Sequence, residues 1–357
     1  MLRIGMLTSG GDCQALNAAM RGVVKTLLNN RDDVEVYGFL EGYKGLIYGN
    51  FRMLTGKDFS GILTVGGTIL GTSRTPFKTI QDPDENGLDK VDAMKQNYHK
   101  LQLNCLVILG GNGTHKTANL LRKEGLNIVT LPKTIDNDLW GTDMTFGFQS
   151  AVNIATDAID CIHTTAASHG RVFIVEVMGH KVGWLTLNAG MASGADIILL
   201  PEIPYDIDKV IDKIEERDAN GSKFTIIAVA EGAKSITGEV TVQKIIEGSP
   251  DPVRLGGIAQ KVAEDLEQMV GLEARATILG HIQRGGSPSA ADRILSTRYG
   301  VAAVELAIAG KFGNMVALKD NKMTYASLED VIGCNKAVEP EGELVQAAKA
   351  IGICFGD

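Results

Sequence analysis

The chain has 357 residues, 44% of them hydrophobic but only 5% aromatic, so two α/β lobes with cores of Val, Ile, Leu and Ala are expected rather than one small domain. A formal net charge of −8 argues against nucleic acid as a partner, while a small phosphorylated ligand can still be held by a few focused Arg residues. Five scattered cysteines (Cys13, Cys105, Cys161, Cys334, Cys354) form no CxxC pair and suggest no disulfide scaffold or zinc site; with a start that reads as strand and turn, and no apolar run of the roughly 18 residues a span needs, a cytoplasmic protein off the membrane is expected.

Residues 3–7 read as a strand, 8–12 as a Gly-rich turn and 15–28 as a helix; 34–39 is a second strand. The polar, Pro-containing stretch 73–88 reads as a surface loop at a cleft mouth. Residues 104–109 form a continuous apolar strand ending in Gly110-Gly111-Asn112-Gly113, followed by a helix over 117–124 and a strand over 128–131. After a helix over 151–165 the pattern resets, with strands at 171–177, 197–200 and 225–230 and helices near 184–192 and 207–217. A helix over 255–270, a strand over 274–279 and a helix over 290–309 complete it, the last expected to pack back on the first lobe. Continuous apolar strands with helical crossovers indicate mainly parallel sheets covered on both faces. The expected fold class is therefore α/β, with two interleaved lobes, each a mainly parallel sheet flanked by helices, and the active site in the cleft between them.

In such sheets ligands bind beyond the carboxyl ends of the strands. The first strand delivers Ser9-Gly10-Gly11-Asp12, whose glycines let backbone N–H groups approach phosphate oxygens; an ordinary tight turn is the competing reading. The strand over 104–109 delivers Gly110 to Thr114, a second cradle at a helix start that has neither GxxxxGK[ST] nor GxGxxG spacing. Two cradles favour a nucleotide. The strand over 128–131 delivers Pro132-Lys133-Thr134-Ile135-Asp136-Asn137-Asp138. Two carboxylates one residue apart at a strand end call for a compensating cation or an acid–base role. Phosphoryl transfer needs both; Asp136 suits the base and Asp138 the metal. Arg74, Arg171, Arg275 and Arg284, with His281, stand near strand ends beside glycine turns and read as a phosphate clamp.

On LTSGGD, GTILGTSR, ILGGNGT, LPKTIDND, TFGFQSA, VEVMG, AEG and LGHIQRGG, running in order from about residue 3 to about residue 300, the chain resembles the phosphofructokinases, which phosphorylate fructose 6-phosphate on its 1-hydroxyl. The resemblance implies that residues 1–150, completed by part of 290–357, are the phosphoryl-donor lobe, and 151–290 the sugar-phosphate lobe. It makes Asp136 the base, with Thr134, Arg74 and the Gly10 backbone on the transferring group. Gly11, Thr75, Gly111, Asn112, Gly113, Thr114 and Lys133 would line the donor, and Asn112 and Asp138 would organise Mg²⁺. Met178, Gly179, His180 and Glu231 would contact the sugar; Arg171, Arg275, His281 and Arg284 would clamp its 6-phosphate. Arg171 and Arg275 would reach a neighbouring subunit's site, implying a homodimer or homotetramer.

ATP-using members carry Gly at the position of Gly113, where pyrophosphate-using members carry Asp; Lys133 is usual in pyrophosphate enzymes. A carboxylate excludes ATP whereas a lysine need not, so ATP is the expected donor and pyrophosphate the alternative. The chain departs from the family in Asn112 for Asp, which moves the expected metal load to Asp138 and water, and in His180 for Arg, which leaves a related sugar phosphate such as sedoheptulose 7-phosphate as an alternative acceptor. The same two departures carry a non-enzymatic alternative, a sugar-phosphate-binding regulatory homologue.

Overall fold

In the computed structural model the described residues are 1–238, 242–245 and 253–357. The chain opens with β1 (Leu2–Thr8), α1 (Leu16–Asn30), β2 (Val34–Phe39), α2 (Tyr43–Tyr48) and β3 (Phe51–Leu54). Next come α3 (Lys90–Lys100), β4 (Cys105–Gly110), α4 (Asn112–Lys123), β5 (Ile128–Thr134), β6 (Phe146–Gly147) and α5 (Phe148–His169). The middle of the chain holds β7 (Val172–Val177), α6 (Trp184–Ala192), β8 (Ile197–Leu199), α7 (Ile207–Ala219) and β9 (Thr225–Ala230). It continues through β10 (Val242–Ile245), β11 (Val253–Leu255), α8 (Ile258–Val270) and β12 (Ala274–Ile278). The last elements are α9 (Ala290–Ile308), β13 (Asn314–Lys319), β14 (Lys322–Ser327), α10 (Leu328–Val331) and α11 (Glu343–Ala350).

Two compact units result. The first comprises Met1–Ile135, Leu139–Ser150 and Arg284–Asn335; the second comprises Asp136–Asp138, Ala151–Gln283 and Lys336–Asp357. The sheet of the first unit has eight strands in the order β14-β13-β5-β4-β1-β2-β3, with β6 paired to β5. Its centre is parallel, and its edges β3 and β14 are antiparallel to their neighbours. β4 is buried along its whole length, as a strand covered on both faces must be. The second unit is built on a four-stranded parallel sheet, β12-β7-β9-β8, packed by apolar residues of α7 and α8 such as Val210, Ile214, Val262 and Leu266. The α/β class with mainly parallel sheets is as expected from the sequence.

Three details depart from the local expectations. The helix expected from 117 begins at Asn112, so the second cradle is the first helical turn itself, with Gly111 as N-cap. The strand expected to end at 131 runs to Thr134. It does so because β6 offers a partner: Lys133 faces Phe146 and Thr134 faces Gly147. The third is a set of elements that the sequence reading did not place, α2, β3, α3, β6, β10, β11, β13, β14, α10 and α11, with the helix expected from 255 starting at Ile258 because 253–255 pair as β11. The expected loop 73–88 is irregular, with one 3-10 turn at Phe77–Thr79 and a second turn closed by the Gly87 N–H donating to Asp84 O (2.9 Å).

Candidate active site

In the first unit, β1, β4 and β5 are consecutive neighbours and parallel, so their carboxyl ends lie side by side. β1 ends at Thr8 and is followed by Ser9-Gly10-Gly11. The Ser9 N–H donates to the Leu109 carbonyl (3.0 Å), which continues the β1–β4 ladder to the edge of the turn. Gly10 then exchanges bonds with the loop over 71–73: its N–H donates to Ser73 O (3.0 Å) and its carbonyl accepts from Thr72 Oγ1 (2.7 Å). Arg74 leaves that tied loop as an exposed side chain, and Thr75 follows it half-buried.

Two cations brace the Gly10–Asp12 turn from below. Lys133, buried on β5, donates through Nζ to the Gly11 carbonyl, and Arg284 donates through Nη1 to the Asp12 carbonyl (3.2 Å). A Cβ at Gly11 would stand 2.0 Å from that guanidinium nitrogen, so any side chain there would have to move Arg284 off the turn. Arg284 is thus placed in the first unit against the turn, and Lys133 is engaged with protein backbone.

The end of β4 leads through Gly111 into α4, whose first turn holds Asn112, Gly113 and Thr114. The backbone N–H groups of a first helical turn have no intrahelical partner and favour anions. Thr114 is buried, with Oγ1 donating to Ser9 O (3.4 Å) and its carbonyl accepting from the buried Tyr43 hydroxyl (2.8 Å). Asn112 donates to Asn335 Oδ1 at 3.2 Å. A Cβ at Gly113 meets nothing within 4 Å.

His115 locks this turn. Its ring is fully buried; Nδ1 lies 2.8 Å from the Gly111 carbonyl, which can only accept, so the proton is on Nδ1, and Nε2 has no partner among the described residues. Burial, more than the nearby Lys133 charge, pushes its pKa down to about 4. A depressed folded-state value contributes stability that is present above the ordinary value of 6.5 and is lost as pH falls through about 4. Urea unfolding of the wild type is therefore expected to weaken over that window by on the order of 3 kcal/mol more than that of His115→Asn, which keeps a donor near Nδ1 but does not titrate. Parallel stability profiles for the two proteins would remove His115 from this role.

The end of β5 is fixed from the other side. Thr145 Oγ1 donates to Thr134 O (2.8 Å), and Gly147, opposite Thr134 in the sheet, donates its N–H to Asp292 (3.1 Å). The same carboxylate accepts from Ser150 N (2.7 Å) and Ser150 Oγ (2.5 Å), so it caps the start of α5. Asp292 is fully buried, and desolvation raises its pKa. The sequence reading missed Asp292, although Ser289-x-x-Asp292 ahead of an apolar run is a helix-start signal; the Ser289 hydroxyl does accept from Asp292 N (3.2 Å). What that signal conceals is that the carboxylate serves a different helix.

The second unit holds the Asp136–Asp138 segment and the expected sugar contacts. Asn137 between the two carboxylates has φ +53°, a left-handed conformation that Asn tolerates better than most residues. Met178, Gly179 and His180 follow β7, Glu231 follows β9 and exposed His281 follows β12, so the carboxyl ends of three adjacent strands carry them. Glu231 accepts from the backbone N–H of His180 (2.7 Å) and of Gly179 (3.3 Å), and so shapes that loop. The Met178 N–H donates to the buried Gln283 (3.2 Å), a contact the sequence reading did not assign.

Arg171 and Arg275 are elsewhere. Arg171 precedes β7 and pairs with Glu273 at 2.8 Å; Arg275 is the second residue of β12 and also pairs with Glu273. Both sit at amino ends of strands, about 20 Å along the sheet from Met178 at a rise near 3.3 Å per residue. Within one chain they do not join the cluster at the carboxyl ends. Among the described residues, no three His, Cys, Asp or Glu side chains come together to hold a metal ion, and no helix is long and apolar enough to cross a membrane.

Comparison with known proteins gives a consistent picture. The family model described as Phosphofructokinase matches residues 3–307. The ATP-dependent 6-phosphofructokinase of Spirochaeta thermophila is 52% identical over 358 residues, covering 99% of this chain and 97% of that one. The ATP-dependent 6-phosphofructokinase 2 of Clostridium perfringens is 53% identical over 361 residues, covering 99% and 98%. Among solved structures, phosphofructokinase from Saccharomyces cerevisiae superposes with a TM-score of 0.79 at 32% identity over 93% of this chain, which spans 45% of the yeast chain. The pyrophosphate-dependent phosphofructokinase of Nitrosospira multiformis gives a TM-score of 0.83 at 21% identity, covering 99% and 92%, a likeness of fold.

Proposed function

Because the chain belongs to the phosphofructokinase family and is a phosphotransferase, we propose that it transfers a phosphoryl group from ATP to the 1-hydroxyl of fructose 6-phosphate. The observation that carries this reading is the alignment of three neighbouring strand ends: Gly10-Gly11 after β1, the α4 first turn after β4, and Thr134 closing β5 just before Asp136. Two sets of backbone N–H groups beside a strand that delivers a carboxylate are the parts phosphoryl transfer needs.

In this reading the Gly10–Gly11 and Gly111–Thr114 backbones bind the donor phosphates, with Arg74 and Thr75 from the tied loop. Asp136 accepts the hydroxyl proton as the sugar oxygen bonds to the γ-phosphorus and the bond from that phosphorus to the departing ADP oxygen breaks, while Thr134 and Arg74 hold the transferring group. Lys133 is anchored on Gly11 O, which supports a bracing role compatible with ATP. Met178, Gly179, His180 and Glu231 contact the sugar. The clamp on its 6-phosphate is His281 with Arg284, completed by Arg171 and Arg275 of a neighbouring copy; their place at amino ends of strands supports that division and a homo-oligomer.

Mg²⁺ is usually held by one or two carboxylates, substrate phosphates and water rather than by a protein cage, and in this reading Asp138 would be the carboxylate that holds it. When bound, the ion neutralises phosphate charge.

A donor comparison tests the reading. One preparation assayed with fructose 6-phosphate and Mg²⁺ should turn over with ATP and not with pyrophosphate. Turnover with pyrophosphate alone would replace ATP as donor, and ligand binding without turnover on either would favour a regulatory homologue.

A further inference from the structure

The stretch 336–338 lies beyond the residues matched by the family model, yet it is stitched to the segment that carries Asp136. The Lys336 N–H donates to the Asp138 carbonyl (2.9 Å), and Lys336 Nζ donates to Asn137 Oδ1 (2.9 Å). On its other side the Lys336 carbonyl accepts from Trp184 Nε1 (2.9 Å), and the ammonium lies 5.8 Å from the centre of the Trp184 ring. Two residues on, the Val338 N–H donates to Glu202 Oε1 (2.9 Å), an oxygen that also accepts from Gly183 N (2.9 Å). One short strap thus binds the left-handed Asp136–Asn137–Asp138 turn to the end of the loop that begins at Met178.

We infer that Lys336 is a positioning residue for phosphoryl transfer, holding the Asp136–Asp138 turn through Asn137 and registering it on Trp184. The inference rests on the reading of Asp136 as the base. A turn centred on a non-glycine residue at φ +53° needs outside support to stay in one conformation. Lys336 supplies that support at a side chain and at a backbone carbonyl of the same turn. Small misplacement of a catalytic group lowers kcat without requiring weaker ground-state binding.

The test compares Lys336→Met, Lys336→Arg, Asn137→Gly and the double variant Lys336→Met/Asn137→Gly in the full chain. Met keeps the stem and removes the charge; Gly removes the acceptor but accepts the same φ. Lys336→Met and Asn137→Gly should each lower kcat about 10-fold with KM for either substrate changed less than about twofold. The double variant should lose less than the product of the two single losses, because both remove the bond between Lys336 and Asn137. Lys336→Arg should recover most of the rate. In a Trp140→Phe background, Lys336→Met should change the emission of Trp184, whether or not turnover is measured.

Wild-type kcat in Asn137→Gly or Lys336→Met, additive losses in the double variant, or raised KM at constant kcat would each overturn the inference. If Lys336→Met does not fold, Asn137→Gly and Lys336→Arg decide it alone. Failure of the base reading shows separately, as full turnover in Asp136→Asn; the coupling between Lys336 and Asn137 is judged by the double variant in either case.

Discussion

Asp136→Asn is expected to reduce kcat by at least about a thousandfold, with binding of the sugar phosphate and of ATP changed only a few-fold. The substitution keeps shape and hydrogen-bonding capacity and removes only the ability to take a proton. General-base assistance is worth roughly 10²- to 10⁴-fold, and the upper part of that range applies when no second base can substitute. Asp138 is the nearest carboxylate in sequence, set apart from Asp136 by the left-handed Asn137, and in the proposed reading it serves the metal rather than the proton. Stopped-assay turnover together with calorimetric titration of fructose 6-phosphate separates rate from affinity. Turnover within tenfold of wild type would remove Asp136 from the role of base; lost sugar affinity at unchanged kcat would make it a binding group instead.

The parts of the molecule legible in the sequence are those whose physics is local. Apolar runs such as 104–109 and 225–230 announce buried strands because both faces of a parallel strand must be apolar. The pairs Gly10-Gly11 and Gly110-Gly111 mark the places where the chain turns at the ends of β1 and β4. The contacts that hold these places together are long-range and leave no periodic trace. Lys133 is 122 residues from Gly11, Asp292 is 142 from Ser150, and Lys336 is 199 from Asn137. Each such residue is an ordinary charged residue in sequence and acquires its meaning from the neighbour the fold brings to it. Arg171 and Arg275 illustrate the reverse. Their proximity to strands was visible, but which end of the strand they occupy decides what they can reach within one chain, and that depends on the first and last paired residue of β7 and β12.

Gly113→Asp is expected to abolish the use of ATP while leaving the protein folded. The two effects separate because of where Gly113 stands. A Cβ there meets nothing within 4 Å, and the residue lies in the first turn of α4, where an acidic side chain is favoured by the helix dipole and the missing Cβ of glycine is a small liability in the helix. Thermal stability should accordingly be unchanged or slightly higher. The same first turn is proposed to receive the ATP phosphates, and a carboxylate placed among those N–H groups both fills the space and repels the anion. Like-charge juxtaposition costs several kcal/mol, which at 1.4 kcal/mol per decade corresponds to a fall of about 10²- to 10⁴-fold in kcat/KM for ATP. Assays of Gly113→Asp with ATP and with pyrophosphate, beside a melting curve, read all three quantities. Undiminished ATP turnover in a folded variant would move the donor phosphates away from α4. A lowered melting temperature together with lost activity would instead place Gly113 in the packing of the helix start. Loss of ATP use at full stability, with or without a gain of pyrophosphate use, is the outcome the open space beside Gly113 and the orientation of α4 require.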